Sequence, residues 1–100
     1  MNAPSDPPLQ LSVCICTYNG ADRIGLVLEA LGRQTRRAGD WEVLVVDNAS
    51  KDDTAGVVDE GLQTHLPERG RRICEDQAGV MYARRRAARE ARGALLAFLD

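Results

Sequence analysis

Trp41-Glu42-Val43-Leu44-Val45-Val46 runs almost unbroken through apolar residues and stops on Asp47. A short β-branched run bounded by polar residues is the pattern of a strand covered on both faces in a parallel sheet. Toward the amino terminus, Leu11 to Thr17 repeats it. Between the two runs, starting from Asp22, Ile24, Val27, Leu28 and Leu31 fall at i, i+3, i+4 and i+7. That spacing predicts an amphipathic helix with Asp22 as its cap and Arg33 near its far end. Strand, helix and strand make one β-α-β unit.

Toward the carboxyl terminus, Asp47 to Asp53 reads as a polar loop, and Ala55, Val58 and Leu62 supply the apolar side of a second helix. Turn residues follow around Pro67 and Gly70, then a short strand from Arg71 to Glu75. Gln77 to Arg92 reads as an alanine- and arginine-rich helix closed by Gly93, and Ala94 to Leu99 as a last strand with Asp100 at its carboxyl edge. The order β-α-β-α-β-α-β with right-handed crossovers predicts an α/β fold with a doubly wound, mostly parallel sheet.

Composition narrows the function classes. The 100 residues suffice for one core but are few for a complete two-substrate enzyme. Thirteen basic against fifteen acidic residues leave a formal charge of −2, which offers no electrostatic footprint for nucleic acid. No apolar run approaches the ~20 residues of a transmembrane helix. Met1 to Gln10 is polar and proline-rich, so residues 1–10 are expected to be a disordered leader and the protein to be cytoplasmic. Cys14, Cys16 and Cys74 lack zinc-site spacing and are expected to be reduced, buried packing residues.

In open α/β sheets, ligands bind outside the carboxyl ends of the strands, where strand order reverses. Thr17, Asp47 and Asp100 each finish a separate apolar strand and are expected to converge on one crevice. Neither G-x-G-x-x-G nor G-x-x-x-x-G-K-[ST] occurs, so a standard dinucleotide enzyme or P-loop kinase is disfavoured. In their place stands Thr17-Tyr18-Asn19-Gly20, where a ring can lie against a base beside hydroxyl and amide groups. A plain strand-to-helix turn explains these four residues equally well. Asp47 can accept from a base or ribose, or simply end its strand. The Asp47 to Asp53 loop lacks the third-position oxygen ligand and central glycine of an EF-hand. His65 reads as an exposed loop histidine rather than a catalytic base.

Four segments in order carry a resemblance: Leu11 to Asn19, Val45 to Thr54, Gly79 to Arg84, and Ala91 to Gly93 with Leu96 to Asp100. Together they resemble the opening of the family 2 glycosyltransferases, whose fold is the Rossmann-like GT-A type. The resemblance implies the amino-terminal, donor-binding part of an enzyme that moves a sugar from a UDP-, GDP- or dTDP-sugar to an acceptor hydroxyl with inversion. It places Thr17, Tyr18 and Asn19 at the nucleotide, Asp47 on the base, Arg84 near the nucleotide and Asp100 at the ribose. Asp100 also matches the first aspartate of a D-x-D-type motif holding Mn²⁺ or Mg²⁺, whose second aspartate and general base would lie beyond residue 100.

Two positions depart from the family pattern: Cys16 replaces a common proline, and Arg85 a usual asparagine. Helical periodicity puts Val80, Ala83, Ala87 and Ala91 on one face with Arg84 at its border, while Arg85, Arg89 and Arg92 turn toward solvent. The competing readings are a non-catalytic nucleotide-binding module and an unrelated flavodoxin-like domain that merely shares strand-end carboxylates.

Overall fold

A computed structural model describes residues 9–34 and 40–99. The elements are β1 (Leu9–Thr17), α1 (Ile24–Gly32), β2 (Trp41–Asn48), α2 (Thr54–His65), β3 (Gly70–Glu75), α3 (Val80–Glu90) and β4 (Gly93–Leu99). All pairings are parallel and the strand order is β3-β2-β1-β4. The chain therefore winds outward from β1 to β3 and returns to the other side of β1. The reversal point lies at β1, as the doubly wound expectation requires.

Alternation along the strands divides the core. Val13, Ile15, Val43 and Val45 pack with Ile24, Leu28, Val58 and Leu62 from α1 and α2. Cys14, Leu44 and Val46 face the other way and pack against Ala83 and Ala87 of α3. Period-2 side-chain alternation in a strand covered on both faces requires this division. β2 is buried along its whole length, whereas β4 leaves Leu95, Leu96, Phe98 and Leu99 exposed. No helix of the described residues is long and apolar enough to cross a membrane.

Several boundaries differ from the sequence reading. Leu9 and Gln10 belong to β1, so the expected 1–10 leader is cut back, and residues 1–8 lie outside the described residues. Arg23, not Asp22, occupies the cap of α1, and no side chain caps that helix. α3 begins at Val80 and ends at Glu90, shorter than Gln77 to Arg92. Gly93 opens β4 rather than closing the helix, because a Cβ there would lie 2.6 Å from backbone atoms of Leu11 and Ser12. Cys74 is exposed and Cys16 only partly buried, so only Cys14 fits the buried-cysteine expectation. His65 is the last residue of α2, not a loop residue.

Candidate functional site

β1 and β2 end side by side, with Thr17 and Asp47 as register partners. Asp47 is buried, 6% exposed, and its carboxylate accepts a long 3.4 Å hydrogen bond from the Ser50 N–H. The chain then turns through Ala49, whose φ of 58° is unusual for a residue with a Cβ. Asp47 and Thr17 thus stand together at the carboxyl edge of the sheet, where the expected crevice lies.

The loops after β1 and β2 brace one another. The Asn19 N–H donates to Ser50 Oγ at 2.9 Å, and Lys51 N–H donates to Asn19 Oδ1 at 2.8 Å. Gly20 N–H donates to Thr54 Oγ1 at 2.9 Å, and a Cβ at position 20 would overlap Thr17 Oγ1. Asp52 accepts from the Thr54 hydroxyl, from the Thr54 N–H at 3.0 Å and from the Ala21 N–H at 3.3 Å. The Thr54 hydroxyl foremost, and then these amides, hold the Asp52 carboxyl below its ordinary range. Asp52 is therefore engaged by groups of the two loops themselves.

Across the sheet edge, Asn48 anchors the segment between β3 and α3. Its Nδ2 donates to the carbonyls of Glu75 (3.2 Å) and Gln77 (2.7 Å), and its Oδ1 accepts the Gly79 N–H at 2.9 Å. A groove of about 280 Å³ results, lined by Cys16, Thr17 and Tyr18 at the end of β1 and by Ala78, Gly79 and Val80 at the start of α3. Asn48 and Ala83 complete its lining. Tyr18 is 55% exposed, so its ring is available to a ligand.

Of the residues singled out in the sequence, Thr17 and Tyr18 line the groove, whereas Asp47 is not among its lining residues and stands beside Thr17 as its register partner. Asn19 braces the two loops with its backbone N–H and side-chain oxygen. The Arg84 guanidinium stands 5.8 Å from the centroid of the Phe98 ring, over β4. Asp100 lies outside the described residues. Among the described residues no three His, Cys, Asp or Glu side chains come together in a way that could hold a metal ion. Asn48 and the Ala78–Val80 wall were not anticipated. The one signal for Asn48 was a second polar residue at the end of a buried strand.

Residues 12–100 match the profile of Glycosyl transferase family 2. The chain belongs to this family. Among its relatives, Glycosyltransferase AglE of Haloferax volcanii is 38% identical over 90 residues, covering 90% of this chain and 29% of that protein. Validoxylamine A glucosyltransferase of Streptomyces hygroscopicus subsp. jinggangensis is 42% identical over 100 residues, covering 98% and 23%. The chain thus spans less than a third of the length of these relatives. Among solved structures, S. aureus TarS 1–349 in complex with UDP superimposes with a TM-score of 0.83 at 28% identity, covering 92% of this chain and 27% of that one. Mannosyltransferase PcManGT from Pyrobaculum calidifontis, in complex with GDP-Man and Mn²⁺, gives 0.76 at 28% identity, covering 90% and 28%. The expected GT-A sheet is the one found in these solved structures.

Proposed function

We propose that residues 11–100 form the amino-terminal, donor-binding part of a glycosyltransferase that moves a sugar from a nucleoside diphosphate sugar to an acceptor hydroxyl, with inversion at the anomeric carbon. The observation that carries this reading is the groove at the carboxyl edge of β1, where Thr17 and Tyr18 stand beside Asp47 in a chain of this family. The UDP complex of TarS and the GDP-Man complex of PcManGT support nucleotide sugars as the donor class.

Each residue has a distinct task. A buried carboxylate accepts well from a base N–H, so Asp47 selects the base by hydrogen bonding. The exposed Tyr18 ring offers a stacking face, and the Thr17 hydroxyl a donor and acceptor beside it. Asn19 contributes by fixing the turn that presents these two. Arg84, on α3 next to the groove-lining Ala83, supplies positive charge toward the diphosphate from its place over Phe98, and Asp100 holds the ribose. In-line displacement leaves negative charge on the departing nucleoside diphosphate, and positive groups aimed at it lower the barrier. A divalent metal ligated by Asp100 and by donors outside the described residues would supply part of that charge.

Calorimetric titration with UDP and GDP, each with and without Mn²⁺, tests the proposal. Saturable, metal-enhanced binding of one nucleotide is the expected result. Absence of binding to both, with and without metal, counts against it.

A further inference from the structure

Asn48 ends β2 beside Asp47, is 5% exposed, and directs both ends of its amide at the segment between β3 and α3. That segment leads into Gly79, whose φ of 134° suits glycine and strains other residues. Ala78, Gly79 and Val80 line the same groove as Tyr18 and form its wall at the start of α3. Only a primary amide can give two donors to the Glu75 and Gln77 carbonyls while accepting from the Gly79 N–H. A carboxylate keeps the acceptor and loses both donors; an alanine loses all three contacts. The position of the Gly79 wall against β2 is therefore tied to this side chain.

Resting on the donor-site reading above, we propose that Asn48 is a positioning residue that sets the shape of the base slot. By holding the Gly79 wall against β2, it makes the slot discriminate between a pyrimidine and a purine nucleotide. Asn48 acts through the wall and does not touch the base. A purine carries a fused second ring and fills more of the slot, and even one methylene of misfit in a pocket is worth about ten- to two-hundredfold. A slot of about 280 Å³ is small for a ligand site, so a shift of its wall alters the fit.

The test compares UDP and GDP affinities of the unmodified protein, Asn48→Asp and Asn48→Ala, with a melting temperature for each. The expected result is that the ratio of the two affinities falls about tenfold in Asn48→Ala. Asn48→Asp, which keeps the Gly79 contact and the side-chain size, falls by less and serves if the alanine variant does not fold. General destabilisation lowers both affinities in proportion, so a ratio unchanged in the folded variants overturns the proposal. Equal affinities in the unmodified protein overturn it as well. Binding of neither nucleotide by the unmodified protein removes the donor-site reading itself and the proposal with it.

Discussion

The Ser12 hydroxyl donates a 2.6 Å hydrogen bond to the Glu42 carboxylate across the β1–β2 pairing, and Glu42 is 4% exposed. The same carboxylate accepts the Arg92 N–H at 2.7 Å and Arg71 Nε at 3.2 Å, while the Gly93 N–H donates to Ser12 Oγ at 2.8 Å. One buried charge thus joins all four strands at the amino edge of the sheet, opposite the groove. A buried, fully bonded charge stabilises only while its partners remain, and removing one side is costly. Glu42→Ala is expected to lower stability by about 3 kcal/mol, read by urea unfolding. A loss within ~0.5 kcal/mol would show that the network contributes little.

The same group gives the fold an acid limit. Burial pushes the Glu42 carboxyl up, but the hydrogen bonds from Ser12 and Arg92 and the Arg71 guanidinium outweigh burial and leave it below 4.5. A folded value below the unfolded one means stability that is fully present above about pH 4.5 and is lost as pH falls through the depressed folded value. Melting temperatures from pH 7 to pH 3 should fall on the acid side, and Glu42→Gln should flatten that fall. An equally steep decline in the variant would assign it to other carboxylates.

Gly93 and Gly25 make a contrasting pair. A Cβ at Gly93 meets backbone atoms of Leu11 and Ser12 at 2.6 Å, and backbone cannot rotate aside. Gly93→Ala is expected to cost about 1–3 kcal/mol. A Cβ at Gly25 in α1 meets only Val57 Cγ1, at 3.7 Å, so Gly25→Ala should stabilise by roughly 0.5–1 kcal/mol through helix propensity. Thermal unfolding of both variants checks the signs, and a neutral Gly93→Ala would contradict the close packing of β4 on β1.

The three thiols should separate by reactivity. Cys14 is fully buried, and burial, reinforced by Cys16 and Glu42, pushes its thiol up to about 11, so at neutral pH it should react only on unfolding. Cys74 is exposed and should be alkylated first. Cys16 lines the groove, so bound nucleotide should slow its labelling. Peptide mass spectrometry with and without UDP or GDP reads all three, and labelling of Cys14 ahead of Cys74 would refute the burial assigned to them.

The succession of elements along the chain was readable because β1 and β2 are near-continuous apolar runs and α1 keeps a clear 3.6-residue period at Ile24, Leu28 and Leu31. Element ends were less legible, since they depend on contacts distant in sequence. Gly93 looks like a helix stop until Leu11 and Ser12 are seen beside it. Val80 has helical spacing with Ala83 and Ala87 but remains exposed, because the helix begins at the open edge of the groove. At the carboxyl edge of the sheet, Thr17 and Asp47 were legible as polar groups finishing buried strands, and Tyr18 as the ring that follows the first of them. Asn48 was not, because its role consists of three backbone partners 27 to 31 residues away.

The central claim is that Asp47 reads the base of a donor nucleotide. Titration of the protein and of Asp47→Ala with the nucleotide it prefers, alongside melting temperatures, tests it most directly. A hydrogen bond to a charged group implies a loss of affinity on the order of ten- to a hundredfold in the variant, with the fold intact. Equal affinity in a folded Asp47→Ala protein would contradict the claim and move base recognition away from the end of β2.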